Sequence, residues 1–228
     1  MTRFNLRKTF IAVAAVAAYA LSIPAYASDS DRLVILHTND THSIIDPYYR
    51  DNLGGVLRRK ALIDSVRSVE PNVLLVDAGD VLQGSLYFTL FEGKVEQMVM
   101  NGLGYDVQIL GNHEFDNGME KLANYLKGLN ADLIATNYDL SHTDIDRYFK
   151  PYTIKEVDGK RIGFLAININ PEGLIDSAKC TGVEYLDAVK AANAMAWYLR
   201  HVEHCDYVIA VSHIGYDESG NLADITDV

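Results

Sequence analysis

Short apolar runs alternate along this chain with segments of helical periodicity, and this alternation constrains the fold more than any other feature. The runs have the length and β-branched content of strands buried on both faces. They lie at 33–36, 73–76, 107–110, 133–135, 162–167 and 208–211. Helices are predicted at about 55–69, 94–103, 118–129 and 185–204. This order predicts an α/β domain with a largely parallel sheet.

One pair of strands departs from the parallel pattern. The stretches 152–157 and 161–167 flank Asp158-Gly159-Lys160. An Asp-Gly turn between two strands is typical of an antiparallel hairpin. We therefore expect a mixed sheet.

The first 27 residues predict a secretory signal peptide. Three basic residues precede an apolar stretch at 10–23, and a small-x-small cleavage site follows at 25–27. The apolar stretch is shorter than the roughly 20 residues that a membrane-spanning helix needs. We expect cleavage after Ala27 and a periplasmic or secreted protein that is not attached to a membrane.

Charge and cysteine content limit the partners and the redox chemistry. The chain has 20 Lys and Arg against 31 Asp and Glu, a formal net charge of −11. This is the wrong sign for a protein that binds the nucleic-acid backbone, so no nucleic-acid partner is expected. Cys180 and Cys205 are compatible with a disulfide in an oxidising compartment and equally with two buried thiols.

Residues with carboxylate, amide or imidazole side chains follow four of the predicted strands. They are Asp40 and His42, then Asp80, then Asn112 and His113, and finally His213. In open α/β sheets, ligands bind just outside the carboxyl ends of the strands. We therefore expect these side chains to meet in one crevice.

The chemistry of these side chains indicates a metal site. Asp40 and His42 are separated by one residue, so on extended backbone they would leave on the same side and hold one ion. Nitrogen and oxygen ligands without thiolate suit Zn, Mn or Fe. Two such ions about 3.5–4 Å apart, joined by a carboxylate such as that of Asp80, stabilise the attacking and leaving oxygens in phosphoryl transfer. Phosphate-ester hydrolysis is the predicted chemistry.

The same motifs carry a family resemblance. Asp40-Thr41-His42, Gly79-Asp80, Gly111-Asn112-His113-Glu114 and Ser212-His213 resemble, in order and spacing, the motifs of the 5′-nucleotidase family within the calcineurin-like metallophosphoesterase superfamily. The stretch GNHEFDNG at 111–118 is similar to that of secreted 5′-nucleotidases and their UDP-sugar hydrolase and cyclic-phosphodiesterase relatives. The resemblance covers 33–217 and implies a metallophosphoesterase sandwich of mixed β-sheets flanked by helices.

The resemblance also implies a role for each residue and a substrate class. It implies two divalent metal ions and a nucleotide or another small phosphate ester as substrate. By resemblance, Asp40 and His42 bind the first ion, Asn112 and His213 bind the second, and Asp80 bridges the two. The resemblance also implies that His113 and Asp116 are the catalytic pair.

The chain departs from the family after Ser212-His213. The family's next motif, Gly-His-x-His, supplies one further ligand to each metal and is not reached within the 228 residues. We therefore expect 28–228 to be an incomplete metallophosphoesterase domain, from a fragment or an early stop, without the carboxyl-terminal nucleotide-binding domain. A separate chain that supplies substrate binding is one partner left open. Two alternatives stay open: a truncated, non-catalytic metal-binding or interaction protein, and an enzyme for other esters such as UDP-sugars or 2′,3′-cyclic nucleotides.

Overall fold

The computed structural model describes residues 32–50 and 52–215. The predicted signal peptide and the segment 216–228 lie outside the described residues. Among the described residues, no helix has the length and apolar character needed to cross a membrane.

Ten strands and five α-helices make up the described part of the chain. The strands are β1 (Val34–Thr38), β2 (Val73–Asp77), β3 (Val107–Gln108), β4 (Asp132–Ile134), β5 (Tyr138–Asp139), β6 (Phe149–Lys150), β7 (Tyr152–Val157), β8 (Lys160–Asn168), β9 (Glu184–Tyr185) and β10 (Tyr207–His213). The helices are α1 (Val56–Val69), α2 (Leu86–Phe91), α3 (Lys94–Leu103), α4 (Gly118–Leu126) and α5 (Ala188–His201).

The strands form two main sheets and a small ribbon. The larger sheet has the order β1-β2-β3-β4-β6, with every neighbouring pair parallel. The smaller sheet has the order β10-β8-β7, in which β10 runs parallel to β8 and β7 runs antiparallel to it. Strands β5 and β9 pair separately as an antiparallel ribbon. The prediction of mixed sheets is confirmed.

The alternation of apolar side chains explains how these sheets are layered. Val76, Val107 and Phe164 are buried in a cluster formed by the inner faces of the two main sheets. The other face of the larger sheet is covered by α1, α3 and α4, while Leu165 of β8 packs with Leu199 of α5 on the outer face of the smaller sheet. The order of layers is helix, sheet, sheet, helix, which is the predicted sandwich.

Most element boundaries agree with the sequence prediction, and two helices differ. The helix expected from residue 185 begins only at Ala188, because Tyr185 pairs with Tyr138 in the ribbon and the Asp187 side chain caps the helix. The helix expected over 118–129 ends at Leu126. The hairpin turn is confirmed, with Asp158 and Gly159 at φ of 48° and 71° between the paired ends of β7 and β8.

The two cysteines are both free. Cys205 is buried and Cys180 is half-buried. Of the two alternatives left open by the sequence, the disulfide is therefore not present, and the second thiol is less buried than expected.

Candidate metal centre

Three of the predicted ligands meet at the carboxyl ends of three strands. Ligand atoms of Asp40, Asp80 and His213 all lie within 4.8 Å of one another. The Nε2 atom of His213 is 3.3 Å from Oδ2 of Asp80 and 3.2 Å from Oδ1 of Asn112. Residues from β1, β2, β3 and β10 are thus brought together across the two sheets.

His42 also approaches the Asp80 carboxylate. Its Nε2 atom is 3.8 Å from Oδ1 of Asp40 and 3.8 Å from Oδ2 of Asp80. Its ring meets that of His113 edge-on, with the ring centroids 5.2 Å apart. The other four predicted metal ligands and His113 therefore lie around the carboxylate of Asp80.

The backbone that presents these side chains is not extended. Asp40, His42 and Asp80 have φ values of 51°, 43° and 57°, in the left-handed region. The prediction that Asp40 and His42 leave an extended backbone on one side was wrong. Their approach instead depends on two backbone hydrogen bonds between loops, from Asp40 N–H to Gly79 O (2.9 Å) and from His42 N–H to Asp80 O (3.0 Å). Left-handed non-glycine residues cost about 1–3 kcal/mol each and cluster at functional sites.

Two glycines allow the loops after β2 and β3 to touch. A Cβ atom on Gly79, whose φ is 93°, would lie 2.4 Å from the backbone nitrogen of Gly111. A Cβ atom on Gly111 would lie 2.2 Å from Oδ1 of Asp80. Larger residues would separate Asp80 from Asn112.

Glu114 joins the same two loops, and the sequence analysis assigned it no role. Its side chain is 1% exposed and accepts hydrogen bonds from the backbone N–H groups of Asp80 (2.9 Å), Val81 (2.7 Å) and Gly111 (2.6 Å). Burial and the nearby charge of Asp80 raise the pKa of Glu114, and these N–H groups oppose the rise. The signal available in the sequence was its place directly after Asn112 and His113.

Asp77 holds the beginning of the Asp80 loop. Its buried carboxyl accepts hydrogen bonds from the Thr38 hydroxyl (2.6 Å) and from Gly79 N–H (2.9 Å). Because Thr38 uses its single hydrogen there, the Tyr105 hydroxyl, 2.7 Å away, donates to Thr38. Burial raises the pKa of Asp77 to about 7, although these hydrogen bonds oppose the shift.

Asp80 and His213 favour each other's charged form. Burial lowers the pKa of His213, but hydrogen bonding to Asp80, the Asp80 charge and the Ala78 carbonyl together raise it to about 9. Burial likewise raises the pKa of Asp80, while the hydrogen bonds from His213 and from His113 N–H hold it below its ordinary value. The Nδ1–H group of His213 donates to Ala78 O at 2.8 Å, which leaves Nε2 directed at Asp80 and Asn112.

This donor set fits a divalent cation. It combines carboxylate oxygens, an amide oxygen and imidazole nitrogens, which suit the zinc, manganese and iron class of ions. The ordering of His213 through its second nitrogen is also common for histidines that bind metals.

His113 and Asp116 form a hydrogen-bonded pair beside the ligands. The Nδ1 atom of His113 lies 2.8 Å from Oδ2 of Asp116, and both side chains are partly exposed. The backbone N–H of His113 donates to Oδ1 of Asp80 at 2.8 Å. With Nδ1 engaged, Nε2 is the ring nitrogen left to contact a substrate.

Comparison with known proteins gives matches over most of the chain. The calcineurin-like phosphoesterase family matches residues 33–226. A snake venom 5′-nucleotidase of Gloydius brevicauda is 33% identical over 216 residues, which cover 90% of this chain and 36% of that protein. The 5′-nucleotidase of Bos taurus is 32% identical over 198 residues, covering 81% of this chain and 34% of that protein.

Solved structures give the same result. A 5′-nucleotidase precursor from Thermus thermophilus matches with a TM-score of 0.74 and 34% identity, over 84% of this chain and 39% of that one. The NAD nucleotidase of Haemophilus influenzae matches with a TM-score of 0.73 and 31% identity, over 84% of this chain and 36% of that one. This chain therefore spans little more than a third of the length of these four proteins.

Proposed function

Because the chain belongs to the calcineurin-like phosphoesterase family, we propose that it hydrolyses phosphate esters, nucleotides in particular, with two divalent metal ions. The main supporting observation is the meeting of Asp40, Asp80 and His213 ligand atoms within 4.8 Å at the ends of three strands. The names of the related proteins support nucleotides as the substrate class.

We assign the ligands to two ions that would share Asp80. Asp40 and His42 bind the first ion, Asn112 and His213 bind the second, and Asp80 bridges them. In support of this assignment, Oδ2 of Asp80 lies 3.8 Å from Nε2 of His42 and 3.3 Å from Nε2 of His213. When bound, such a pair of ions supplies a nucleophile at neutral pH and compensates charge on the reacting oxygens.

The chain's own residues position the substrate and stabilise charge. His113 donates from Nε2 to the transferring phosphoryl group, where negative charge develops in the transition state. Asp116 fixes the orientation of that ring through Nδ1. Glu114 keeps Asp80 and His113 at a constant separation, because it binds the loops that carry both.

We further propose that the mature protein begins at Ser28 and is periplasmic or secreted, and that 28–228 form the front part of the metallophosphoesterase domain. The predicted signal peptide supports export. Recognition of the nucleoside would belong to the part of the related proteins that this chain does not span, whether it is supplied by the same polypeptide or by a separate one.

Phosphate release tests the proposal directly. The mature chain is incubated with Mn²⁺ or Zn²⁺ and with AMP or UMP, which release phosphate on hydrolysis. Separate reactions use UDP-glucose, followed by the appearance of UMP and glucose 1-phosphate, and 2′,3′-cyclic AMP, followed by the appearance of a ring-opened AMP. Bound metal is counted by equilibrium dialysis. We expect two ions per chain and hydrolysis of at least one of these esters, both lost in Asp80→Asn. Asp158→Asn, in an exposed turn, is the control and should behave as wild type. At most one weakly bound ion and no hydrolysis would favour the non-catalytic alternative.

A further inference from the structure

His42 and His213 differ in how their rings are held. The Nδ1–H group of His213 donates to the Ala78 carbonyl. The Nδ1 atom of His42 is buried and has no hydrogen-bond partner among the described residues. A metal-binding histidine is normally oriented by a hydrogen bond from its second nitrogen. The orientation of His42 must therefore come from its backbone.

That backbone is held in an unfavourable conformation by its neighbours. His42 and Ser43 both have left-handed φ values, 43° and 57°. The His42 N–H donates to Asp80 O (3.0 Å), and the Ser43 N–H donates to Val81 O (2.8 Å). Gly84 packs directly on the turn, since a Cβ atom there would lie 2.8 Å from the His42 carbonyl oxygen. These contacts all involve the main chain of the turn, and the Ser43 side chain makes a further contact of its own.

The Ser43 side chain reaches a buried carboxylate on α3. Its hydroxyl donates to Oε1 of Glu96, and the two residues are 2% and 1% exposed. Hydrogen bonds to a carboxylate are stronger than those between neutral groups. The bond joins the strained residue next to His42 to a rigid helix 53 positions further along the chain.

The second oxygen of Glu96 lies near another unpaired polar group. Oε2 of Glu96 and Nη1 of Arg59 are both buried and have no hydrogen-bond partner among the described residues. Both residues line one small cavity of about 10 Å³, which is otherwise mainly apolar. A cavity of roughly this size can hold one water molecule where polar groups such as these face it.

We propose that Glu96 is a positioning residue for His42. It anchors the Ser43 hydroxyl and so keeps the turn at 42–43 in the left-handed conformation that directs the His42 ring at Asp40 and Asp80. One buried water joins Oε2 of Glu96 to Arg59 of α1, which braces the carboxylate from the other side. This inference rests on the proposed role of His42 as a metal ligand, and Glu96 itself contacts neither metal nor substrate.

Two substitutions of Ser43 separate the hydrogen bond from the backbone strain. Ser43→Ala removes the hydroxyl and leaves a side chain that disfavours positive φ. Ser43→Gly removes the same hydroxyl, but glycine adopts positive φ without strain. Glu96→Gln keeps the shape and one oxygen acceptor for Ser43. Thr153→Val is the matched control. It removes another buried hydroxyl, on β7 of the smaller sheet, which donates to the carboxylate of Asp132 on β4.

Mn²⁺ or Zn²⁺ affinity is measured by competition with a chromophoric chelator. We expect Ser43→Ala to weaken binding by about 10- to 100-fold, the range for lost partners of metal ligands. Ser43→Gly should retain more affinity than Ser43→Ala. Glu96→Gln keeps an oxygen acceptor for the Ser43 hydroxyl, so its affinity should stay within about threefold of wild type. Thr153→Val should change thermal stability only. Wild-type affinity in Ser43→Ala would overturn the proposal.

Amide hydrogen exchange of the metal-free protein gives a second readout that needs no ion. Exchange at His42 and Ser43 should accelerate at least about tenfold in Ser43→Ala and remain unchanged in Thr153→Val. If wild type binds no metal, the proposed function fails, and the exchange rates alone decide whether Glu96 positions this turn. Unaltered exchange in Ser43→Ala would refute that positioning.

Discussion

Replacing Glu114 by glutamine exchanges one oxygen for an NH₂ group in the middle of the candidate site. Oε1 accepts from Val81 N–H at 2.7 Å and from Leu82 N–H at 3.4 Å, and Oε2 accepts from Asp80 N–H at 2.9 Å and from Gly111 N–H at 2.6 Å. Whichever oxygen is replaced, the new NH₂ group faces at least one backbone donor at short distance. The side chain is nearly isosteric, so packing is preserved.

The expected cost follows from the number of donors left without an acceptor. A buried N–H group that loses its partner costs about 1–3 kcal/mol. The less costly orientation puts the NH₂ group at the position of Oε1, which leaves the short bond from Val81 N–H and the long bond from Leu82 N–H unmade. The bonds that remain lose the negative charge of the acceptor. We expect the free energy of unfolding to fall by about 2–4 kcal/mol.

Urea unfolding of the metal-free protein measures this change. Glu120→Gln, on the exposed side of α4, is the matched control and should stay within about 0.5 kcal/mol of wild type. If Glu114→Gln unfolds within about 0.5 kcal/mol of that control, then the carboxylate of Glu114 does not hold the two loops together.

The same loops lead to three further predictions. Gly79→Ala should destabilise the fold by more than about 3 kcal/mol, because the new Cβ atom would collide with Gly111 and because φ is positive there. Gly173 has a φ of 75° and no atom within 4 Å of an added Cβ, so Gly173→Ala isolates the smaller cost of the positive φ. The melting temperatures of the two variants are compared. His113→Ala should slow phosphate release by roughly 10² or more with metal content unchanged, and an unaltered rate would contradict its role. Because the pKa of Asp77 is raised in the folded state, the contribution of this residue to the free energy of unfolding should fall by about 4 kcal/mol as the pH rises from about 4 through 7. Asp77→Asn lacks this loss, so its melting temperature relative to wild type should rise between pH 5 and 7.5; an equal difference at both pH values would contradict the assignment.

The architecture could be predicted because buried strands and covering helices leave a periodic pattern. Each of the six apolar runs overlaps a strand of the structure. The missed helix, α2, is six residues long and exposes Leu86 and Leu90, so it has no amphipathic pattern to detect. The late start of α5 reflects the pairing of Tyr185 with Tyr138, a distant contact that local sequence does not encode.

The identity of the site residues could be predicted because they lie in sequence motifs. Their backbone conformation could not be predicted, because tertiary contacts determine it. Asp40 and His42 were identified, but their left-handed φ values depend on hydrogen bonds to residues 79 and 80, which periodicity cannot indicate. The roles of Glu114 and Glu96 were missed for a related reason. Glu96 bonds to Ser43, and Glu114 joins Gly111 to Asp80 and Val81, so both roles depend on groups more than 30 positions away in sequence.

The division of the site between two sheets couples ligand binding to assembly of the sandwich. Asp40, Asp80 and Asn112 follow strands of the larger sheet, whereas His213 ends β10 of the smaller one. The second ion, bound as proposed by Asp80, Asn112 and His213, would be a cross-link between the sheets, and its binding energy would add to the folding energy by mass action, about 2.7 kcal/mol at a free concentration 100 times Kd. The melting temperature would then depend on free metal concentration, and occupancy of this second site would report whether the two sheets are docked.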